Sequence, residues 1–341
     1  MPVKALSKSA ILMILLVLAT IGSWEIYLRS KGFAISYDDG GPLWSEKRDM
    51  VYEPADKTTV FIGSSRIKFD LDIPTWEKIT GRHAVQLAVE GNSPVPVLIN
   101  LGNDKNFKGR LVVDVMEPMF FSPADGGGLR DVREYIRYYE KRTPTQRASF
   151  KLNHMLESQL VFLDKDFFSL NARLDELKIP NRPNVYFFPL FPMDFSRVSF
   201  DRQDKMTPRF LADTSLQHQV QHIWLFIMAA GRNAPRPKVN PVPGIIQSVK
   251  EAVEKIRSRG GDVVFIKPPV NGPFQAAEMG GFPRAKFWDP LLVTTQCQGF
   301  FFTDYPETAH MICPEWSHLS PQDAILYTRA LINELPKPFV Q

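Results

Sequence analysis

Two short motifs far apart in the chain carry the residue types of a nucleophilic site: Gly63-Ser64-Ser65-Arg66 and Glu315-Trp316-Ser317-His318. A serine hydroxyl is a poor nucleophile until a base takes its proton, and histidine is the side chain best suited to that task near neutral pH. Thr58, Thr59, Val60, Phe61 and Ile62 directly precede the first motif and read as a buried strand. The small residues that follow would then lie at the strand's C-terminal edge, where open α/β sheets bind their ligands. The competing structural reading makes Ser65 a helix cap after a strand and His318 a cap or core histidine beside the last helix.

The elements that must position these residues follow from the hydrophobic pattern. Strands are expected at 58–62, 83–88, 110–116, 262–267 and 299–303, short and β-branched, with helix-length segments between the first ones. That alternation is the signature of a parallel sheet, because parallel neighbours need long crossovers. A helix over 244–259, closed by Gly260-Gly261, leads into the fourth strand, which Pro268-Pro269 ends. The final helix is expected at 321–335, with Ser320 as N-cap and Asp323 in its first turn. Residues 121–243 interrupt this logic with an aromatic-rich, largely helical insertion, too long for a simple connection. The organisation is thus a stub and apolar helix over 1–28, a polar connector over 29–55, an α/β domain over 56–120 and 244–341, and the insertion.

A chain of 341 residues, 44% hydrophobic and 23% charged, can bury a large core. Its net charge of +4 arises from 41 basic and 37 acidic side chains interspersed along the chain, which gives nucleic-acid binding no support. Lys4 and Lys8 precede an apolar run from Ala10 to Trp24, extendable to Leu28 with Glu25 at an interface. That is long enough to span a bilayer, and the lysines favour a cytoplasmic N-terminus with the rest of the chain on the periplasmic or extracellular face. A retained signal anchor is the leading reading; a cleaved signal peptide competes, although no clean A-x-A site follows the run. Cys297 and Cys313 are the two cysteines, and an exported location would allow them to pair; two buried thiols are the alternative.

Taken together, the arrangement resembles the SGNH (GDSL-like) hydrolase superfamily, over residues 58–116 and 262–335. The resemblance implies a three-layer α/β/α fold around a five-stranded parallel sheet. It places the nucleophile at Ser65, with Ser64 in the place of the usual aspartate, and aligns Glu315-x-x-His318 with the acid and base, Glu replacing Asp. Asp304 is the reserve candidate for the acid. The second family block matches Gln86-Leu87-Ala88-Val89-Glu90-Gly91, so the Ser65 and Gly91 N–H groups are the implied oxyanion donors. The third block departs from the family. Gly102-Asn103-Asp104 imitates its Gly-x-Asn-Asp but precedes the third strand, at a helix end, and Glu117-Pro118-Met119 after that strand offers no asparagine. Either Asn92 supplies a third donor or the hole has backbone donors alone.

Membrane-anchored, exported members of this superfamily act on envelope polymers, so the resemblance implies an esterase or O-acyltransferase working on an acylated glycan or acyl donor. A membrane-bound O-acyltransferase is the implied partner, and a catalytically silent scaffold for such an enzyme is the rival expectation. No cofactor is implied. Arg66 is a candidate for holding an anionic substrate group, with a structural ion pair as its alternative. Phe287-Trp288 and Trp316 offer a sugar-stacking surface or plain core. His218 and His222 stand one helical turn apart, but they lack the glutamate and third ligand of a zinc site. The run 185–191 reads as core of the insertion or as a membrane-facing patch.

Overall fold

A computed structural model describes residues 3–122, 131–175, 177, 189–233 and 239–340. Thr58–Ile62 (β1), His83–Gln86 (β2), Arg110–Asp114 (β3), Asp262–Lys267 (β4) and Gly299–Phe301 (β5) form a five-stranded sheet. Its order is β2-β1-β3-β4-β5 and every pairing is parallel. The protein is therefore α/β, as its strand spacing implies. All five residues of β1 are buried, which explains an apolar run without alternation. Because β1 has β2 on one side and β3 on the other, the chain order changes direction there. The crevice outside the C-terminal ends of β1 and β3 is the natural ligand site of such a sheet.

Among the helices are, in chain order, Val3–Ser30 (α1), Gly41–Asp49 (α2), Ser65–Asp70 (α3), Ile73–Thr80 (α4), Val95–Asn103 (α5), Pro144–Glu157 (α6), Leu170–Asp175 (α7), Thr214–Asn233 (α8), Val242–Arg257 (α9) and Pro321–Glu334 (α10). The expected N-cap of α10 is present: the Ser320 hydroxyl accepts from the Asp323 N–H at 3.1 Å. Helix α10 packs on α3 and α4, and Thr328 on it accepts from the Asp72 N–H at 2.8 Å. Helices α5 and α9 pack closely, and a Cβ on Gly102 would lie 2.9 Å from the Cα of Ala252. The glycine of the Gly102-Asn103-Asp104 look-alike thus serves helix contact at the end of α5. Its aspartate binds Arg48 at 2.7 Å and the Tyr52 hydroxyl at 2.6 Å.

The chain divides into two compact units, 1–38 with 144–187, and 39–143 with 188–341. These cut across the connector and insertion expected from sequence. Within the sheet-bearing unit, residues from Asp39 onward are core: Leu43 and Trp44 on α2 are buried, and the Trp44 indole donates to the Leu87 carbonyl at 3.0 Å. Charge composition made this stretch look like a linker, yet Lys47 and Arg48 are themselves buried with acidic partners. The helical unit contains α1, of which Leu6–Ser30 is long and apolar enough to cross a membrane. Part of the 185–191 run lies outside the described residues.

Candidate active site

Strand β1 ends at Ile62, and Gly63-Ser64 turn the chain into α3, whose first residue is Ser65. Gly63 is required by crowding: a Cβ there would sit 2.5 Å from the Asp114 Cβ at the end of β3. Asp114 in turn accepts from the Ser64 N–H at 3.1 Å, so β3 pins the turn that presents Ser65. Burial pushes the Asp114 carboxyl up to about 6, against the pull of Arg66.

The Ser65 hydroxyl lies 2.8 Å from His318 Nε2, and His318 Nδ1 lies 3.0 Å from Glu315 Oε1. The nucleophile and base that the two motifs suggested, and the acid that the resemblance implied, are brought into one hydrogen-bonded chain. Ser65 is half-buried, whereas Glu315 and His318 are 0% and 1% exposed. An ionised Glu315 accepts the Nδ1 proton, which leaves the Nε2 lone pair to the Ser65 hydroxyl. Asp304, the reserve acid, is instead paired with Arg284 at 2.6 Å on the surface.

A Glu and a His three residues apart meet because the loop turns back on itself. Trp316 has φ 80, a left-handed conformation uncommon for a large side chain, and its N–H bonds the Cys313 carbonyl at 3.0 Å. The turn directs the His318 and Ser317 N–H groups at Glu315 Oε1, at 2.6 and 3.3 Å. Glu315 Oε2 accepts from the indole N–H of Trp224 on α8. The imidazole packs against Phe69, Phe195 and Trp224, with ring centroids at 4.4, 5.7 and 5.9 Å. Sequence reading missed Trp224 because it lies 91 positions from Glu315, inside the insertion. A tryptophan's need to pair its indole N–H when packed was the available cue, and it names no partner.

The loop after β2 approaches the same edge, with the Val89 N–H bonded to the Gly63 carbonyl at 3.2 Å. Gly91 has φ 65, which its lack of a Cβ permits. Asn92 does not stand free as an oxyanion donor. Its amide nitrogen donates to the Glu90 carbonyl at 2.9 Å and its oxygen accepts the Val132 N–H at 3.0 Å, so this buried side chain ties the loop down. Arg202, equally unforeseen, clamps the same loop from the insertion by donating to the Gln86 and Ala88 carbonyls at 2.8 and 2.9 Å. Its other partner is Asp39, whose carboxyl burial would raise, but Arg202 and Lys68 hold it well below the usual range.

Arg66 is corrected from substrate contact to buried ion pair. It is 0% exposed, forms a two-pronged contact with Glu278 at 2.5 and 3.0 Å, and donates to the Ser317 hydroxyl at 3.3 Å. Lys267, at the end of β4, binds Glu278 and Glu117. Burial pushes Glu278 up, but Arg66 and Lys267 outweigh it and hold its carboxyl at about 2. A fully buried guanidinium whose charge is met by a bidentate carboxylate is not open to an anionic ligand from solvent. The cysteine pairing is also corrected: both thiols are free and buried, Cys297 beside Arg257 at 3.3 Å and Cys313 beside the Pro269 carbonyl at 3.7 Å. His218 and His222 lie on the exposed side of α8, and among the described residues no group of three or more His, Cys, Asp or Glu is placed to hold a metal ion.

Comparison with protein-family models finds no match, and comparison with curated proteins finds none.

Proposed function

We propose that this chain is a membrane-anchored serine esterase or O-acyltransferase with an SGNH-like three-layer α/β/α domain, acting on an acylated glycan outside the cytoplasm. The observation that carries the reading is the Ser65, His318, Glu315 relay at the C-terminal edge of β1. As Ser65 Oγ attacks an acyl carbonyl, its proton passes to His318 Nε2. The ester C–O bond then breaks and the leaving oxygen takes that proton, leaving acyl-Ser65. Water or a sugar hydroxyl gives its proton to His318 and attacks the acyl carbon; the bond from that carbon to Ser65 Oγ then breaks, and Oγ takes the proton back from His318, restoring both residues. The N–H groups of Ser65 and Gly91 are the proposed donors to the oxyanion.

The test is labelling of the full-length protein by a fluorophosphonate. Wild type should label and Ser65→Ala should not; absence of labelling in wild type, or equal labelling in the variant, sinks the reading. Product analysis with and without a sugar acceptor separates hydrolysis from transfer. A second reading, a silent scaffold that binds a membrane-bound O-acyltransferase, is favoured by one observation: Asn92 uses its carbonyl oxygen and one amide N–H to hold the loop, which argues against a role as the side-chain donor of an oxyanion hole. Loss of one such donor typically costs roughly 10²- to 10³-fold in rate.

A further inference from the structure

Outside α1, the helical unit carries large apolar side chains that face away from it. Leu152, Met155 and Leu156 on α6 are 61%, 65% and 46% exposed, Leu170 and Leu174 on α7 are 74% and 50% exposed, and Leu177 is 58% exposed. With Ala148, the α6 residues fall at i, i+4, i+7 and i+8, a single stripe on one helix face. Arg147 and Lys151 are exposed beside that stripe, and Glu157 is buried on another face. An apolar stripe flanked by basic residues is the pattern of a helix lying in a membrane interface.

The same segment is fastened to one particular level of α1. The Glu25 carboxylate accepts the N–H groups of Val161 and Phe162 at 3.0 and 3.3 Å, and Arg29 donates to the Gln159 carbonyl at 2.9 Å. The rings of Phe33 and Phe168 meet edge to face at 5.4 Å. From Leu6 to Trp24 a helix rises roughly 27 Å at about 1.5 Å per residue, close to the thickness of a hydrocarbon core of about 30 Å. Trp24 and Tyr27, stacked at 5.5 Å, stand where an aromatic belt belongs. Residues 159–162 therefore sit at the depth where α1 would leave the hydrocarbon.

We infer that α6 and α7 form a collar around the Ser30 end of α1, with their exposed leucines and Met155 inserted among the lipid chains of the bilayer that α1 crosses. The inference rests on reading α1 as a membrane span. The partner is lipid, because the segment that follows α6 is fastened to the spanning helix through Glu25 and Arg29 and the apolar stripe is bordered by cations suited to headgroup phosphates. The collar also argues for a retained anchor, since cleavage between Glu25 and Ser30 would remove the carboxylate that binds Val161 and Phe162.

The experiment uses full-length protein in lipid nanodiscs, with single added cysteines carrying an environment-sensitive fluorophore; Cys297 and Cys313 are buried, so the added thiol takes the label. Labels at Leu152→Cys and Leu174→Cys should lose most of their fluorescence when the lipids carry brominated acyl chains, and little to aqueous iodide. Lys151→Cys, turned about 100° around the helix, should be quenched less by bromolipid than its neighbour, and Glu254→Cys on α9 should respond only to iodide. Leu16→Cys on α1 reports the span itself. Collar labels that behave like Glu254 while Leu16 is quenched by bromolipid overturn the inference and leave the span intact. Collar labels shielded from both quenchers, as beneath a second copy or another protein, overturn it as well. An unquenched Leu16 removes the span reading and the collar together.

Discussion

Around His318, aromatic rings close over the imidazole and both oxygens of the Glu315 carboxylate are hydrogen-bonded, by backbone, imidazole and indole donors. Around the Ser30 end of α1 the polar groups of Glu25 and Arg29 are also bonded, but Leu152, Leu156, Leu170 and Leu174 are left facing outward. Around His318 apolar rings are packed inward against bonded charges, whereas on the faces of α6 and α7 the leucines are left exposed. The contrast teaches that burial is used differently at the two places: at His318 it excludes water from a hydrogen-bonded carboxylate and imidazole, whereas α6 and α7 present an apolar surface of the kind that marks an interaction site.

The sharpest way to break the comparison is at the nucleophile. Ser65→Ala should reduce hydrolysis of a chromogenic acyl ester by roughly 10⁴-fold or more, as loss of a triad member does, while thermal unfolding stays close to wild type because Ser65 is half-buried and small. Residual turnover near the wild-type level would mean the polar order around His318 serves structure alone. Next in size is the ion-pair cluster beneath α3. Glu278→Ala strips the bidentate partner of Arg66 and one partner of Lys267, so denaturant unfolding should show a loss of about 3–5 kcal/mol.

Asp114 gives a pH-dependent version of the same test. Its carboxyl is raised to about 6 by burial, against the pull of Arg66, from an ordinary value of about 3.9. A raised carboxyl favours the folded state when protonated, so its contribution is complete below about 4 and is lost as pH rises through about 6. Asp114→Asn should therefore flatten the fall in stability between those limits, a difference on the order of 3 kcal/mol at 1.36 kcal/mol per pKa unit. Unfolding curves of the two proteins at pH 4 and pH 7 measure it, and parallel shifts at both would refute it.

Trp224→Phe keeps a ring against His318 and removes the N–H that Glu315 Oε2 accepts. A hydrogen bond to a charged group is worth about 1.5–3 kcal/mol, so kcat should fall roughly 10- to 100-fold with KM little changed. A change confined to KM would place Trp224 in substrate contact instead. The smallest effect sharpens the contrast from the other side: Leu152→Gln should leave the rate of fluorophosphonate labelling within about twofold of wild type, as expected of an exposed substitution away from the site.

Much of the fold was legible because its determinants are local. The β-branched runs at 58–62 and 262–267 give strands with those bounds, and Ser320 caps α10 as its position before Pro321 implies. The expected strands 83–88 and 110–116 each end two residues earlier, because the apolar pattern runs on into the loops, where Leu87, Ala88 and Val115 are buried beyond the last strand residue. Residues 39–55 misled for the converse reason: charges mark a linker only when they are solvated, and Lys47 and Arg48 are buried with partners far along the chain.

By itself the sequence determined which residues stand at element ends, Ser65 after β1 and His318 before α10, and that α1 is apolar enough for a membrane. Periodicity, caps and turn residues depend on neighbours within a few positions, so they can be read directly. Only the tertiary structure decided that Arg66 is bound inside by Glu278, that Asn92 and Arg202 hold the loop bearing Gly91, and that Trp224 reaches Glu315. Those outcomes depend on which distant segments converge, because a buried charge or carbonyl takes whatever partner the packing brings within hydrogen-bond reach.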